Sequence, residues 1–369
     1  MKNLQYSCNL TLSYNKSMRK ITLNNSARLL MSGSETLSAM KASLSRAERF
    51  INLEYFSFHD DETGRAVTEI LKERASHGVK VRMLTDSAGS WRLGRKFIKN
   101  LRASGIEFRR FSPFTFHRDH RKIVTVDGVT GFLGGFNIGD VYLKQWRDTH
   151  LMLCGGAVAE LDAFFASMWR KSGGCYNAET VPDNFCGDVP VRIIASGKGE
   201  GYRAVADEYI RVISSSKSRI WITTPYFAPD RIFLEALYSA VKRGVDVRVI
   251  IPSSSNHPIV SWASQSYVDE MLRGGVRVFV YRERFIHAKT MIVDGDIASV
   301  GTANLDALSF AINYEVQAFV YSREIVDELT KVFSVDLSNC SEENLSTRRK
   351  RPAMMRVKEL AGRLLSPIL

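Results

Sequence analysis

Two stretches decide the fold of this chain: His120-Arg121-Lys122-Ile123-Val124-Thr125-Val126-Asp127 and His287-Ala288-Lys289-Thr290-Met291-Ile292-Val293-Asp294. Both follow the pattern H-x-K-x4-D, which chance would supply about 0.02 times in a chain of this composition. Three further positions agree downstream: Gly134, Asn137 and Asp148 after the first stretch, and Gly301, Asn304 and Glu315 after the second. Each position recurs 167 residues later, as 287 − 120 shows for the histidines. The chain therefore contains a duplication.

The flanking sequence repeats as well. Residues 49–56 and 79–84 are apolar stretches typical of strands, and a helical segment ending before Gly78 lies between them. The same order recurs in 219–222 and 245–251 around Gly244. A glycine after an apolar-periodic helix supplies a left-handed cap, so each copy is a strand–helix–strand unit. A second helix follows in each copy, at 97–103 and 267–273.

Alternating strands and helices predict an α/β fold. We expect a duplicated fold with two mixed, mainly parallel sheets, flanked by helices and related by a pseudo-twofold axis. An α/β protein with recurrent units but no duplication is the alternative, and the paired motifs disfavour it. The predicted organisation is listed in chain order: an N-terminal extension, 1–32; the first half, 33–171; a Gly/Asn/Asp/Pro-rich linker, 172–190; the second half, 191–345; and a basic tail, 346–369.

Composition excludes several classes of protein. Of 369 residues, 45% are apolar and 24% charged, and no apolar run is long enough for a polytopic membrane protein. Residues 1–20 lack the apolar core of a signal peptide, so the mature chain is expected to start near Met1 inside the cell. Five cysteines without CxxC spacing argue against a disulfide framework and a zinc site, and favour a reducing compartment. The net charge of +12 predicts attraction to polyanions, with nucleic acid and anionic lipid both open.

The motif residues suggest chemistry at phosphorus. Residues two apart on a strand share a face, so His120 projects with Lys122, and His287 with Lys289. If the halves pair about a twofold axis, two imidazoles face each other across a pocket with two ammonium groups and the amides of Asn137 and Asn304. Fixed donors of this kind stabilise the charge of a phosphodiester under attack. One histidine then acts as nucleophile and the other as acid and base.

Supporting roles are expected for four acids. Asp148 and Glu315 are suited to accept the Nδ1 proton of an imidazole, so that Nε2 points at phosphorus. Asp127 and Asp294 lie on the opposite face of a regular strand, and each begins an Asp-Gly dipeptide typical of a hairpin turn. They are expected to support the site through turn geometry. No carboxylate cage for Mg2+ or Zn2+ is present, so no cofactor is expected.

These motifs resemble the phospholipase D superfamily and, more narrowly, bacterial cardiolipin synthases of the phospholipase D type. The stretches that carry the resemblance are 120–124, Gly134-Gly135-Phe136-Asn137-Ile138-Gly139-Asp140, Trp146-Arg147-Asp148, 224–230, 299–306 and 364–369. The likeness covers roughly residue 33 to the C-terminus. It implies a phospholipase D-like fold and a phosphohistidine intermediate, with His120 as nucleophile and His287 as acid. The catalytic set it implies is His120, Lys122, Asp127, His287, Lys289 and Asp294.

The function implied is phosphatidyl transfer between two phosphatidylglycerol molecules, releasing glycerol and forming cardiolipin, at the inner face of the cell membrane. Two features depart from the family. Several members begin with two transmembrane helices, for which this sequence has no apolar stretch, and Gly135 and Thr302 stand where serine is usual. The second departure is expected to change hydrogen bonding only slightly. Alternatives are a phosphodiesterase or nuclease that hydrolyses phospholipid or nucleic acid, and a noncatalytic anionic-lipid-binding protein.

The tail offers a route to a membrane. Residues 346–369 contain seven basic residues and one acid, Glu359. Apolar residues recur there at helical spacing: Val357, Leu360, Ala361, Leu364 and Leu365. A basic amphipathic helix binds an anionic surface, each cation contributing about 1 kcal/mol. The alternative is that the helix packs on the catalytic core.

Overall fold

The computed structural model describes residues 21–112, 117–178, 186–255 and 257–368. The strands are β1 Thr22–Leu30, β2 Phe50–Tyr55, β3 Lys80–Asp86, β4 Glu107–Phe111, β5 Lys122–Val126, β6 Thr130–Gly134, β7 His150–Cys154, β8 Val189–Ser196, β9 Arg219–Thr223, β10 Phe227–Ala228, β11 Asp246–Pro252, β12 Arg277–Tyr281, β13 Thr290–Val293, β14 Ile297–Gly301, β15 Leu305–Asp306, β16 Glu315–Val320 and β17 Cys340–Glu342. The α-helices are α1 Gly33–Ser45, α2 Glu62–Ser76, α3 Arg95–Ala103, α4 Gly156–Lys171, α5 Ala204–Ser215, α6 Arg231–Lys242, α7 Pro258–Arg273, α8 Ala307–Ala311, α9 Arg323–Ser338, α10 Leu345–Arg349 and α11 Ala353–Leu365. A π-helical turn, Val141–Gln145, and a 3-10 turn, Ser366–Ile368, complete the described elements.

The strands repeat in the same order on either side of a central pair. β1 and β8 lie side by side, antiparallel, in the middle of one continuous sheet. Outward from this pair the first lobe runs β1-β7-β6-β5-β2-β3-β4, and the second runs β8-β16-β14-β13-β9-β11-β12. The expected α/β class, the mixed sheet and the duplication are confirmed.

Two details of the expected sheets are wrong. Only β2-β3-β4 and β9-β11-β12 pair in parallel within this sheet, and its other pairs are antiparallel. The strand–helix–strand units supply the parallel pairs, whereas the motif hairpins and the strands after them add the antiparallel majority. The two sheets are also joined through β1 and β8. Residues 22–30, expected in an N-terminal extension, form β1. The strand was not predicted because this stretch is polar and has few β-branched residues.

The lobes face each other across a shared core. β14 packs against β6 and β7, although these strands lie far apart in the sheet order. The sheet therefore folds back on itself. Residues of both lobes form the apolar cluster between the two layers, among them Leu133, Leu151, Val300 and Val316. Separate clusters lie under the helices of each lobe. This packing brings the carboxyl ends of the parallel strands of both lobes toward one place, where sites form in open α/β folds.

Two further observations concern compartment and membrane. Cys154 and Cys186 form a disulfide, although the number and spacing of the cysteines argued against a disulfide framework and for a reducing compartment. The spacing in sequence does not show that Cys154, at the end of β7, lies beside Cys186. Among the described residues, none of the helices has the length and apolar character needed to cross a bilayer.

Candidate active site

Backbone contacts between the lobes position both histidines. The His120 N–H donates to the Tyr314 carbonyl (3.0 Å), and the Tyr314 N–H donates to the Arg118 carbonyl (2.9 Å). In the other lobe the His287 N–H donates to the Arg147 carbonyl (2.7 Å), and the Arg147 N–H to the Phe285 carbonyl (2.9 Å). The same two hydrogen bonds therefore hold each motif against the opposite lobe.

Each imidazole meets the acid of the opposite lobe. His120 Nδ1 lies 3.0 and 3.1 Å from the two carboxylate oxygens of Glu315. His287 Nδ1 lies 2.7 Å from Oδ2 of Asp148. Both acids are fully buried. An imidazole that donates its Nδ1 proton to such a carboxylate presents Nε2 to a substrate, which is the geometry that the orienting role requires.

The two lysines add positive charge beside the histidines. Lys122 Nζ donates to the His120 carbonyl (2.6 Å), and Lys289 Nζ donates to the His287 carbonyl and lies 2.9 Å from His287 Nδ1. Burial lowers the pKa of Lys122 to about 8 and that of Lys289 to about 7. The pKa of His287 is lowered by its burial and then by Lys289, Lys122 and His120, so groups of both lobes act on one ring.

The two acids have different surroundings. The Thr302 hydroxyl donates to Glu315 Oε2 (2.5 Å), and the Ser309 hydroxyl donates to Oε1 (2.8 Å). Gly135 contributes no hydroxyl, and a Cβ there would lie 2.2 Å from Asp148 Oδ1. Thr302 keeps the hydroxyl that the usual serine would supply, in line with the expectation of a slight change, whereas Gly135 lacks it. One provides a hydrogen bond to its acid, and the other provides the space that its acid occupies.

The motif asparagines end the strands that follow each hairpin. Asn137 Oδ1 accepts a hydrogen bond from the Ser57 N–H (3.1 Å), just beyond β2. The Asn304 N–H donates to the Ser309 hydroxyl (3.2 Å), and its side-chain oxygen is buried without a partner among the described residues. Neither amide contacts a histidine in the described contacts. Both side chains are buried. The unpaired Asn304 Oδ1 is an acceptor, so a donor such as a substrate hydroxyl would be its partner.

Asp127 and Asp294 lie outside this site. Each has a left-handed backbone (φ 54°) at its hairpin turn. The Asp127 carboxylate accepts hydrogen bonds from the N–H groups of residues 48–50, and Asp294 accepts those of residues 217–219. The turn is at the far end of β5, about 16 Å from Lys122 at ~3.3 Å per residue. These aspartates anchor the start of β2 and β9, and their inclusion in the catalytic set stays a prediction.

Arg121, between the histidine and the lysine of the first motif, points to the opposite face. Its guanidinium is fully buried, donates to the carbonyls of Glu315 (3.2 Å) and Ser196 (3.1 Å), and pairs with Glu200. It therefore ties the first motif to the second lobe. The equivalent residue is Ala288, so the duplication gave no signal for this role.

Aromatic rings that sequence reasoning did not single out pack against the imidazoles. The Trp146 and Phe285 ring centroids lie 4.7 and 5.7 Å from that of His287, and Phe56 lies 5.0 Å from His120. These rings limit the access of water. The only sequence signal for this contact is that Trp146 lies two residues before Asp148.

The arrangement suits displacement at a phosphorus atom without a metal ion. It combines two imidazole–carboxylate pairs with two ammonium groups, which supply a nucleophile, a proton donor and fixed positive charge. Within the described part of the chain, acids, histidines and cysteines form no group of three that would hold a metal.

A family model described as "Cardiolipin synthase, PLD-like domain" matches this chain twice, over residues 40–169 and 209–337. The chain belongs to the phospholipase D-like cardiolipin synthase family. Two curated members of the family are a cardiolipin synthase of Geobacillus kaustophilus, 38% identical over 381 residues, and the major cardiolipin synthase of Bacillus subtilis, 38% identical over 367 residues. The alignments cover 98% and 94% of this chain and 76% of each relative.

The family fold also extends to a solved structure. A phosphatidylserine synthase from Haemophilus influenzae superimposes with a TM-score of 0.73 at 14% identity, covering 97% of this chain and 99% of that one. This likeness shows a shared fold over the whole described architecture. The family model and the curated relatives confirm the resemblance of the sequence to the phospholipase D superfamily.

Proposed function

We propose that this protein synthesises cardiolipin by transferring a phosphatidyl group from one phosphatidylglycerol to the terminal hydroxyl of another, with release of glycerol. The expected enzyme class, a phosphatidyltransferase of the cardiolipin synthase type, is confirmed by relatives 38% identical over nearly the whole chain. The observation that carries the chemistry is the pair of histidine–carboxylate contacts between the lobes. They support a site in which two oriented imidazoles act together.

The first half-reaction forms a covalent intermediate. Nε2 of His120 attacks the phosphorus of the first phosphatidylglycerol, and a P–N bond forms as the bond from phosphorus to the glycerol oxygen breaks. His287 gives its Nε2 proton to the departing alkoxide, so that glycerol leaves neutral. Asp148 stabilises the imidazolium form of His287 before this transfer. Glu315 accepts the Nδ1 proton of neutral His120, so that its unprotonated Nε2 attacks, and offsets the positive charge that the ring gains as the P–N bond forms.

The second half-reaction reverses the roles. Nε2 of His287, now neutral, takes the proton of the terminal hydroxyl of a second phosphatidylglycerol. The resulting oxygen attacks phosphorus, the P–N bond breaks, and His120 is regenerated. Lys122 and Lys289 offset the negative charge that builds on the phosphoryl oxygens in both steps, and Asn137 and Asn304 are the amide donors proposed for the same oxygens.

Transfer instead of hydrolysis requires that the intermediate meets an alcohol and not water. Trp146 and Phe285 pack against His287, and Phe56 against His120, so apolar surface flanks both imidazoles. Exclusion of water by these rings favours the lipid hydroxyl as acceptor.

We further propose peripheral attachment to the inner face of the membrane through α11. This helix packs on α7 through Glu359 and Gly362, and Arg348 and Arg351 of the same tail pair with Asp269. Its apolar face is left open: Met354, Val357, Leu360 and Leu364 are 64%, 61%, 61% and 74% exposed. Both sequence expectations for the tail therefore describe part of it. The helix docks through its polar side, and its apolar side is available to a bilayer.

The deciding experiment is incubation of purified protein with phosphatidylglycerol vesicles without added metal, with products analysed by mass spectrometry. Cardiolipin and glycerol in equal amounts are expected. Phosphatidic acid in place of cardiolipin would make the protein a hydrolase, and cleavage of DNA offered in parallel would make it a nuclease. His120→Ala and His287→Ala proteins serve as controls and should form neither product.

A further inference from the structure

A groove runs along the free edge of the first lobe. β4 is the last strand of the sheet at this end, and α3 packs on it. Two adjoining cavities of about 500 and 350 Å3 share Arg102, Phe108 and Arg110 as walls, so they form one continuous groove. Its floor is apolar, with Ile98, Ile106 and Phe108, and its rim is basic.

Five cations line this groove: Arg95, Lys99, Arg102, Arg109 and Arg110. None of them forms an ion pair with any described residue, and the single acid of the wall, Glu107, lies 3.9 Å from Arg82 instead. A run of five unpaired cations is an unbalanced positive field. It calls for an anionic partner outside the described chain.

Backbone contacts hold three of the guanidinium groups in place. Arg102 donates to the Phe108 carbonyl (3.2 Å) and Arg109 to the Ser172 carbonyl (3.1 Å). Arg110 donates to the carbonyls of Ser90 and Leu93, while its Nε is buried without a partner among described residues. Carbonyl acceptors orient these groups without neutralising them, so the positive charge stays available.

The second lobe shows that the duplicated fold does not require this charge. β12, the counterpart of β4, is covered on its outer edge by β17, and α11 covers α7, the counterpart of α3. The third and fourth residues of β12 are Phe279 and Val280 where β4 has Arg109 and Arg110. Charged residues on an edge strand also deter sheet-to-sheet pairing. Protection of an edge strand does not explain Arg95, Lys99 and Arg102, because these residues lie on α3.

We propose that this groove, together with the exposed pair Trp91 and Arg92 just before α3, is a docking surface for the headgroups of an anionic phospholipid bilayer. The proposal rests on the proposed function, which draws its substrate from such a bilayer. Phosphate groups complement the five cations, and a tryptophan beside an arginine suits the water–lipid interface.

Other features of the molecule point to the same partner. The loop with Trp91 follows the carboxyl end of β3, the edge of the sheet where the catalytic groups lie. Residues 1–20 do not complement the groove, because they contain four basic residues and no acid. Docking of this surface therefore orients the first lobe on the membrane. In the second lobe, α11 provides the membrane contact.

The test compares two full-length proteins that lose the same charge. Arg95→Gln/Lys99→Gln/Arg102→Gln removes three groove cations, and Lys242→Gln/Arg323→Gln/Lys331→Gln removes three exposed cations elsewhere. Co-sedimentation is measured with phosphatidylglycerol vesicles and with phosphatidylcholine vesicles. The groove variant should bind phosphatidylglycerol vesicles about a hundredfold more weakly, since each cation near the surface contributes about 1 kcal/mol, and the loss should shrink at high salt. The control variant should bind as the parent does.

Three readouts make the result decisive. Activity on short-chain phosphatidylglycerol in detergent micelles should be the same in both variants; absence of cardiolipin from the parent itself would refute the proposed function and leave the binding result standing. Soluble glycerol 3-phosphate should not displace the protein from vesicles. Displacement at a low concentration of this compound would indicate a site for a small molecule and not for a bilayer. Equal vesicle binding by both variants, or a loss confined to DNA binding, would overturn the docking surface.

Discussion

Asp148 Oδ2 lies 2.7 Å from Nδ1 of His287, across the boundary between the lobes, and Glu315 stands in the same relation to His120. Each half of the duplication therefore holds an imidazole whose orienting acid is in the other half. Neither motif histidine is paired with a carboxylate of its own lobe among the described contacts, so we expect activity to require that the lobes pair.

Replacing Asp148 by Asn should lower kcat by a factor of about 100 or more, because an amide does not stabilise the imidazolium form of His287 and permits the wrong tautomer. The exposed Asp327→Asn variant provides the control, since it removes a carboxylate from α9 without touching the site. Steady-state turnover of phosphatidylglycerol is the measurement, with thermal unfolding as a check on folding. Equal turnover by the two variants would show that the acid does not assist the histidine.

Gly135→Ala should reduce activity strongly, although it adds only one methyl group. The added Cβ would lie 2.2 Å from Asp148 Oδ1, so the carboxylate has to move away from His287. Gly295→Ala is the control: it makes the same substitution in the hairpin turn of the second lobe, where an added Cβ would have no other atom within 4 Å. Turnover of the two proteins under identical conditions decides the matter. Normal activity of Gly135→Ala would mean that the position of Asp148 is not critical.

Asp127→Ala should destabilise the protein and leave catalysis by the folded fraction intact. The change removes a carboxylate that accepts backbone N–H groups at the start of β2, and it places alanine where φ is 54°. A loss of about 3 kcal/mol in the free energy of unfolding is expected. Asp127→Asn, which tolerates the left-handed conformation, should lose less. Urea unfolding and kcat per folded molecule are measured together. A fall in kcat without a fall in stability would assign Asp127 a catalytic role.

Much of this architecture can be predicted from the sequence because the same motifs occur in both copies of the duplication. Motif positions separated by 167 residues are the same structural position, and the strand–helix–strand units recur at nearly the same offset, so each of these features appears twice. What the sequence does not report is contact between the copies. The exchange of Asp148 and Glu315, the burial of Arg121 and the packing of Trp146 depend on how the lobes face each other. Spacing along one copy contains no information on that arrangement.

A similar limit applies to the tail. Helical spacing correctly shows an apolar face on α11, but not which face of the helix packs on α7. The buried positions are Glu359 and Gly362, and a Cβ at Gly362 would lie 2.4 Å from the Ala263 backbone nitrogen. Close approach and ion pairs hold this helix, and these depend on residues about ninety positions away.

Leu360→Ser/Leu364→Ser should weaken binding to phosphatidylglycerol vesicles without unfolding the protein. Both side chains are exposed, so the change removes apolar surface that a bilayer would cover and little that the core covers. Deleting the tail is a poorer test, because deletion would uncover α7. Val335→Ser on α9, also a highly exposed apolar residue, is the control. Vesicle flotation is the measurement, and equal flotation of both variants and the parent would exclude α11 as an attachment.

The pH dependence of turnover should be set on its alkaline side by the two buried lysines. Burial lowers the pKa of Lys289 to about 7 and that of Lys122 to about 8. Both are ammonium groups below the lower value, and their charges are lost in turn as the pH rises through these two values. Since the charge stabilises the phosphoryl oxygens in the transition state, kcat/KM should fall across this range. Lys289→Arg keeps its charge at every pH used, so its alkaline limb should move to higher pH, at a lower maximum because the guanidinium is larger. Lys331→Arg on the surface of α9 should leave the profile unchanged. An alkaline limb that stays in place in Lys289→Arg would assign the titration to another group.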